Sequence, residues 1–259
     1  MLKNKTFFIT GASAGLGKAL AVQLANKDSN IAVMARNTTK LAETGSLCKN
    51  NPLLITGDIC CESDCESAIT QVINRFGRLD YLILNAGISM WSHFDKLPDL
   101  STIHQIMQTN YIGAVNCTYY ALPHLKKTNG MITVISSIQG KIGVPFHTGY
   151  AASKHALEGF FNSLRIELDK QVDILIVSPG WIKGTDLKKH ALGQTENNAR
   201  NTSSHNKQAV TLETCCNEII SAMIKRKREL VIPKKYQVIS WLKLMVPYLL
   251  DKVIKQKIS

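Results

Sequence analysis

The sequence predicts an α/β fold, a single doubly wound parallel sheet with helices on both faces. Three observations carry that expectation. Short apolar runs of strand length alternate with helical patterns along all 259 residues, and no Pro, Gly or Ser linker or internal repeat divides them. The first run passes through a glycine-rich turn into a helical pattern. Later runs stop at polar or flexible residues, and an open parallel sheet binds its ligands beyond the carboxyl ends of its strands. A domain of this length can bury a sizeable core.

Phe7, Phe8 and Ile9 form a run short enough for a buried strand. It leads into Thr10-Gly11-Ala12-Ser13-Ala14-Gly15-Leu16-Gly17 and then into Leu20, Val22, Leu24 and Ala25 at helical spacing. Glycines between a strand and a helix permit a tight turn and let backbone amides approach a pyrophosphate, with the positive end of the helix dipole behind them. The first two glycines are further apart than in the G-x-G-x-x-G fingerprint, so the generic motif is not strictly met.

The second strand, Asn30 to Arg36, ends in arginine where an acid would bond the ribose hydroxyls of NAD. Arginine offers a planar donor fork to the 2′-phosphate of NADP, and Ser13 can add a hydroxyl. Asp58 follows the third strand, Leu53 to Thr56, where an acid can contact the adenine or simply close a turn. Tyr81 to Leu84 is followed by Asn85-Ala86-Gly87, and Met131 to Ile135 by Ser136-Ser137. All these candidates fall at strand ends, and that shared location weighs more than any one residue.

Tyr150 and Lys154 lie in Thr-Gly-Tyr-Ala-Ala-Ser-Lys-His-Ala-Leu. Four residues apart on a helix they share a face. The unperturbed phenol has a pKa of about 10. A neighbouring cation favours the phenolate, so the spacing predicts a lowered tyrosine pKa and proton exchange with a carbonyl oxygen.

Taken in order, Thr10 to Gly17, Asn85-Ala86-Gly87, Ser137, Tyr150-x-x-x-Lys154 and Pro179-Gly180 resemble the short-chain dehydrogenase/reductase family, over about residues 5 to 232. Ser136-Ser137-Ile-Gln-Gly-Lys and the stretch from Tyr150 to Phe161 are similar to the branch containing 11β-hydroxysteroid dehydrogenases. The resemblance implies a Rossmann-type sheet and NADP(H)-dependent interconversion of an alcohol with a ketone or aldehyde. It implies that Tyr150 is the acid in reduction and the base in oxidation. Lys154 would lower its pKa and bind the nicotinamide ribose, and Ser137 would hold the substrate oxygen. Asn110 matches the asparagine that holds a relay water, or bonds to backbone within its helix. Pro179, Gly180 and Thr185 match the segment against the nicotinamide, though Thr185 could equally cap a following helix. Position 14 is alanine where many NADP-preferring members carry a basic residue, so Arg36 carries the cofactor preference; Leu84 precedes Asn85 where another asparagine is common.

The seven cysteines show no C-x-x-C ligand spacing and the histidines no H-E-x-x-H, so no metal is expected. An odd number of cysteines and a first strand that starts at once fit a reduced, cytoplasmic location. The net charge is +12, and residues 185–259 hold fourteen Lys/Arg against six Asp/Glu. No nucleic-acid-binding motif accompanies that charge, and Lys225-Arg-Lys-Arg228 reads as a helix end.

The catalytic domain is placed at residues 1–233. Its polar segment 186–210 is expected to be a mobile substrate lid. Residues 234–259 form an apolar, lysine-flanked helical tail, too interrupted by Lys243 and Pro247 to span a bilayer. The tail is expected to pack on the core, roof the pocket or join subunits of a homodimer or homotetramer. The competing expectation is peripheral contact with a membrane surface. Reduction of a carrier-bound 3-oxoacyl group is the rival activity, and a non-catalytic nucleotide sensor the rival of another class.

Overall fold

The structure is a computed structural model that describes residues 2–185, 187, 190–193 and 209–258. Seven strands form one parallel sheet: β1 (Thr6–Thr10), β2 (Asn30–Ala35), β3 (Leu53–Thr56), β4 (Tyr81–Leu84), β5 (Met131–Ile135), β6 (Asp173–Pro179) and β7 (Glu229–Ile232). Their order across the sheet is β3-β2-β1-β4-β5-β6-β7. The order reverses between β1 and β4, and an open α/β sheet forms its ligand crevice at such a switch point.

Alternation along each strand divides the core in two. Phe7, Ile9, Ile31, Val33, Ile83 and Val177 face the helices α1 (Gly15–Ala25), α2 (Thr38–Leu47) and α7 (Leu212–Ile224). Phe8, Ala32, Met34, Leu82, Val134 and Ile176 face α3 (Glu62–Phe76), α5 (Gly113–Thr128) and α6 (Thr148–Glu167). Strands buried on both faces read as unbroken apolar runs, which is why the sequence displayed them so plainly. The short helix α4 (Ser101–Met107) runs through a π-helical turn, Gln108–Ile112, into α5.

The chain ends in two short helices, α8 (Ile239–Met245) and α9 (Pro247–Ile258). The basic run after α7 is partly structural: Arg226 ion-pairs with Asp173 and donates to the carbonyls of Asn129 and Gly130. Of the segment expected to form a lid, residues 186, 188, 189 and 194–208 lie outside the described residues. Its described portion includes Leu192, whose N–H donates to the Ser89 carbonyl and whose carbonyl accepts from Trp91 N.

Candidate active site

A cleft of about 1190 Å³ crosses the carboxyl ends of the strands. At one end lies the glycine turn. Gly11 has φ +66°, and a Cβ there would stand 2.6 Å from the Ala86 Cα. Gly15 has φ +55°, and a Cβ on Gly17 would stand 2.6 Å from the Gly11 carbonyl. These glycines answer to close approach and left-handed backbone, which an L side chain resists.

Asn85 fastens the turn. Its Nδ2 donates to the carbonyls of Thr10 and Gly11, both at 3.0 Å. Thr10 Oγ1 in return accepts from the N–H groups of Asn85 and Ala86. Asn85, Ala86 and Gly87 all line the cleft, but the Asn85 amide is committed to the turn itself.

Beyond β2, Arg36 lines the cleft with Ser13, Asn37 and Lys40. Its guanidinium is largely exposed and lies 3.7 Å from the Asp58 carboxylate. Asn37 Oδ1 accepts from Lys40 N, capping α2, so the positive end of that helix faces the same corner. Lys40 was not among the residues expected from the sequence. It sits one helical turn past a strand end, where no motif marks it.

The other end of the cleft holds Ser137, Tyr150 and Lys154, each buried. Ser137 closes β5, and its Oγ accepts from Gln139 N at 3.2 Å. Tyr150 enters on the first turn of α6, where Gly149 lets the helix seat against α4: a Cβ there would meet Ile103 at 2.7 Å. Lys154 follows one turn later on the buried face. Its Nζ donates to the Ile135 carbonyl at 2.8 Å and lies 5.6 Å from the centre of the Tyr150 ring.

This geometry corrects the expected pKa of the tyrosine. Burial pushes the Tyr150 phenol up to about 12, opposed only by its hydrogen bond with Ser137. Burial also pulls Lys154 down to about 8, partly offset by the negative charge of Glu158. Spacing along a helix reports shared face and says nothing of desolvation, which here sets the direction of the shift.

Asn110 lies in the π-helical turn. Its Oδ1 accepts from Ile88 N at 2.8 Å, while Nδ2 donates to the Ile88 carbonyl and to Ser153 Oγ, both at 2.9 Å. Ser153 Oγ donates to the Tyr150 carbonyl. The side chain therefore clamps the loop after β4 onto α6, with partners outside its own helix. Pro179 and Gly180 end β6 on the cleft wall, and Thr185 stands across from Gly15, its Cγ2 3.6 Å from where a Cβ would be. Thr185 Oγ1 donates to the Ile182 carbonyl, and no described helix begins after it until α7.

Behind Ser137 and Lys154 lies a second polar group that sequence reasoning missed. Glu158, one turn beyond Lys154, accepts from Ser136 Oγ at 3.0 Å and from Ser178 Oγ at 3.1 Å. Its other oxygen takes the Lys141 ammonium at 3.1 Å. A Cβ on Gly140 would strike Glu158 Oε1 at 2.7 Å, so the turn carrying Ser137 is packed directly on this carboxylate. The i+4 spacing from Lys154 was the available signal. Gln139 lines the cleft beside Ser137, and its buried Oε1 has no hydrogen-bond partner among the described residues.

The remaining wall is apolar: Ile142, Val144, Trp181, Ile239, Leu250 and Ile254. The last three bring α8 and α9 onto the cleft. A smaller groove of about 660 Å³, lined in part by Ile69 and Tyr119, has no glycine turn and no tyrosine–lysine pair. Among the described residues no cluster of metal-ligating side chains forms.

Comparison with known proteins agrees with the geometry. The family model described as short chain dehydrogenase matches residues 5–196. An 11-beta-hydroxysteroid dehydrogenase A of Arachis hypogaea is 33% identical over 257 residues, covering 96% of this chain and 74% of the relative. A dehydrogenase/reductase SDR family protein 7-like of Dictyostelium discoideum is 36% identical over 261 residues, covering 96% and 80%. Among solved structures, a Thermococcus sibiricus alcohol dehydrogenase complexed with 5-hydroxy-NADP superposes with a TM-score of 0.78 at 23% identity, covering 91% of this chain and 98% of that one. A Burkholderia cenocepacia short chain dehydrogenase in complex with NADP gives 0.81 at 20% identity, covering 98% of each. Those two likenesses establish the fold, while the sequence matches establish kinship: the chain belongs to the short chain dehydrogenase family of oxidoreductases, near the branch that holds the 11-beta-hydroxysteroid dehydrogenases.

Proposed function

We propose that this protein uses NADPH to reduce a ketone or aldehyde on a lipophilic molecule, with Tyr150 as the proton donor. One observation carries the reading: Ser137, Tyr150 and Lys154 converge at one end of a cleft whose other end is the glycine turn and Arg36. The cleft fits a dinucleotide. Gly11, Ser13, Gly15 and Leu16 line it beside the start of α1, and packing within the turn leaves no room for a Cβ at Gly11 or Gly17. Arg36, Ser13 and Lys40 at the start of α2 make a corner suited to a 2′-phosphate, and Asp58 orients the arginine by pairing with it. The NADP-containing structures of the two similar dehydrogenases support the same cofactor here.

When bound, the nicotinamide would supply the hydride. The chain supplies position and a proton. With its pKa near 12, Tyr150 keeps its proton at neutral pH and can release it only to a strongly basic oxygen, such as one that has just received a hydride. Ser137 accepts from Gln139 N, so its own hydroxyl hydrogen is free to turn toward Tyr150 or the substrate oxygen. Lys154, held at the Ile135 carbonyl and close to Gly87, brings a positive charge to the ribose and tyrosine region. Asn110 and Ser153 hold α6 against the loop after β4, keeping Tyr150 in register. The apolar wall from Ile142, Trp181, Ile239 and Leu250 suits a lipophilic substrate and excludes water from the reacting carbonyl.

A panel of ketones and aldehydes, followed by NADPH absorbance with NADH in parallel, tests the reading. Consumption of NADPH with apolar carbonyl substrates is expected. No consumption of either cofactor across the panel would overturn the activity, and a clear NADH preference would overturn the role given to Arg36.

A further inference from the structure

We propose that the outer side of α8 and α9 is a docking surface for an anionic lipid bilayer, which places the apolar side of the substrate cleft next to the membrane. The second clause rests on the reading of the cleft given above; the first stands without it. Among the described residues, half of the exposed large apolar side chains fall within residues 238–253. Trp241, Leu244 and Met245, at i, i+3 and i+4 on α8, are 70%, 76% and 76% exposed, and Tyr248 at the start of α9 is 89% exposed. Apolar surface gathered this way on one element marks an interaction site.

Three features select a bilayer as the occupant. First, exposed Lys234, Lys235, Lys252 and Lys255 flank the apolar residues along the chain, with Asp251 the one acid between Leu230 and Ile258. Cations around an apolar face suit anionic headgroups. In an isologous contact with a second copy the same lysines would face one another and repel. Second, tryptophan and tyrosine at the exposed edge are the residue types that favour the headgroup level. Third, the helices are shaped to lie at an interface. α9 has 12 residues, about 18 Å at about 1.5 Å per residue, against a hydrocarbon thickness of about 30 Å. No described helix is long and apolar enough to cross a membrane.

The inner side of the same helices is part of the cleft. Ile239, Leu250, Val253 and Ile254 line it, and Leu250 is buried. Lys243 fixes α8 to the catalytic body by donating to the Lys141 carbonyl at 2.9 Å. A lipophilic substrate dissolved in the bilayer would then meet the cleft wall without crossing water.

Co-sedimentation tests the proposal. The full chain is mixed with vesicles of phosphatidylcholine alone or with added phosphatidylserine, at low and high salt. It is compared with a variant carrying Trp241→Glu, Leu244→Glu and Met245→Glu, none of which lines the cleft. Thermal melting and NADPH consumption on a water-soluble carbonyl compound check that the variant is folded. The parent is expected to bind the serine-containing vesicles, more weakly in high salt, and the variant to bind about tenfold less or worse with unchanged turnover of the soluble substrate. Equal binding by parent and variant, or no binding by the parent, would overturn the proposal. So would a concentration-dependent dimer that the same substitutions dissolve while vesicles are ignored. Vesicle binding by a parent that turns over no carbonyl would leave the docking surface standing and refute the proposed activity.

Discussion

Lys154 gives its ammonium to the carbonyl of Ile135 at 2.8 Å, at the end of strand β5. The charge is thereby held at the Ser137–Tyr150 end of the cleft while the Tyr150 phenol keeps its proton. With the tyrosine held near 12 and the lysine near 8, the proposed mechanism has one store the proton and the other supply charge.

The pH dependence follows from the lysine. Carbonyl reduction should fall as pH rises through about 8, where Lys154 loses its charge. Stability should move the other way on this group alone. Between about 8 and the ordinary 10.5 the folded protein binds fewer protons at Lys154 than the unfolded chain, so stability rises with pH there. Turnover and thermal melting measured on the same samples separate the two effects. A rate that falls only where the protein melts would contradict the assignment.

Glu158 is a positioning residue in this scheme. Its negative charge favours the charged lysine, so Glu158→Gln should shift the alkaline limb of the rate profile to lower pH. It should also cost about 2 kcal/mol, because Ser136, Ser178 and Lys141 lose a charged acceptor. Glu158→Asp should recover part of the shift. A purely structural role would lower stability with the profile unmoved.

Arg36→Ala should raise the KM for NADPH about ten- to a hundredfold, the loss of one charge-assisted contact to phosphate. The KM for NADH should stay within about twofold. Steady-state kinetics with both cofactors checks the ratio.

Gly11→Ala should destabilise the fold by about 2–4 kcal/mol and abolish saturable cofactor binding. The new Cβ would meet the Ala86 backbone, and φ +66° is strained for any L side chain. Denaturant melts and cofactor fluorescence titration give the two readouts.

Much of this architecture was legible in the chain. Parallel strands buried on both faces are written as apolar runs, and a glycine turn or a tyrosine–lysine pair is local enough to read directly. What escaped depends on distant parts of the chain. Asn85 is legible as a strand-end residue, but that its amide bonds to Thr10 and Gly11 and so fastens the glycine turn is seen only in the fold. Glu158 looks like an ordinary helix acid until Ser136, Ser178 and Lys141 surround it. The direction of the Tyr150 shift is not legible because four-residue spacing conveys proximity, whereas burial comes from residues distant in sequence such as Met90 and Ile106. The tail shows the same limit. Its apolar residues were plain, but only the fold divides them between the cleft wall and the exposed side.

The most direct test of the central claim is Tyr150→Phe. NADPH titration and single-turnover reduction should be compared in parent and variant. The account predicts unchanged NADPH affinity and a turnover loss of about a hundredfold or more, as expected for removing a general acid. Equal turnover in the two proteins would show that Tyr150 does not deliver the proton.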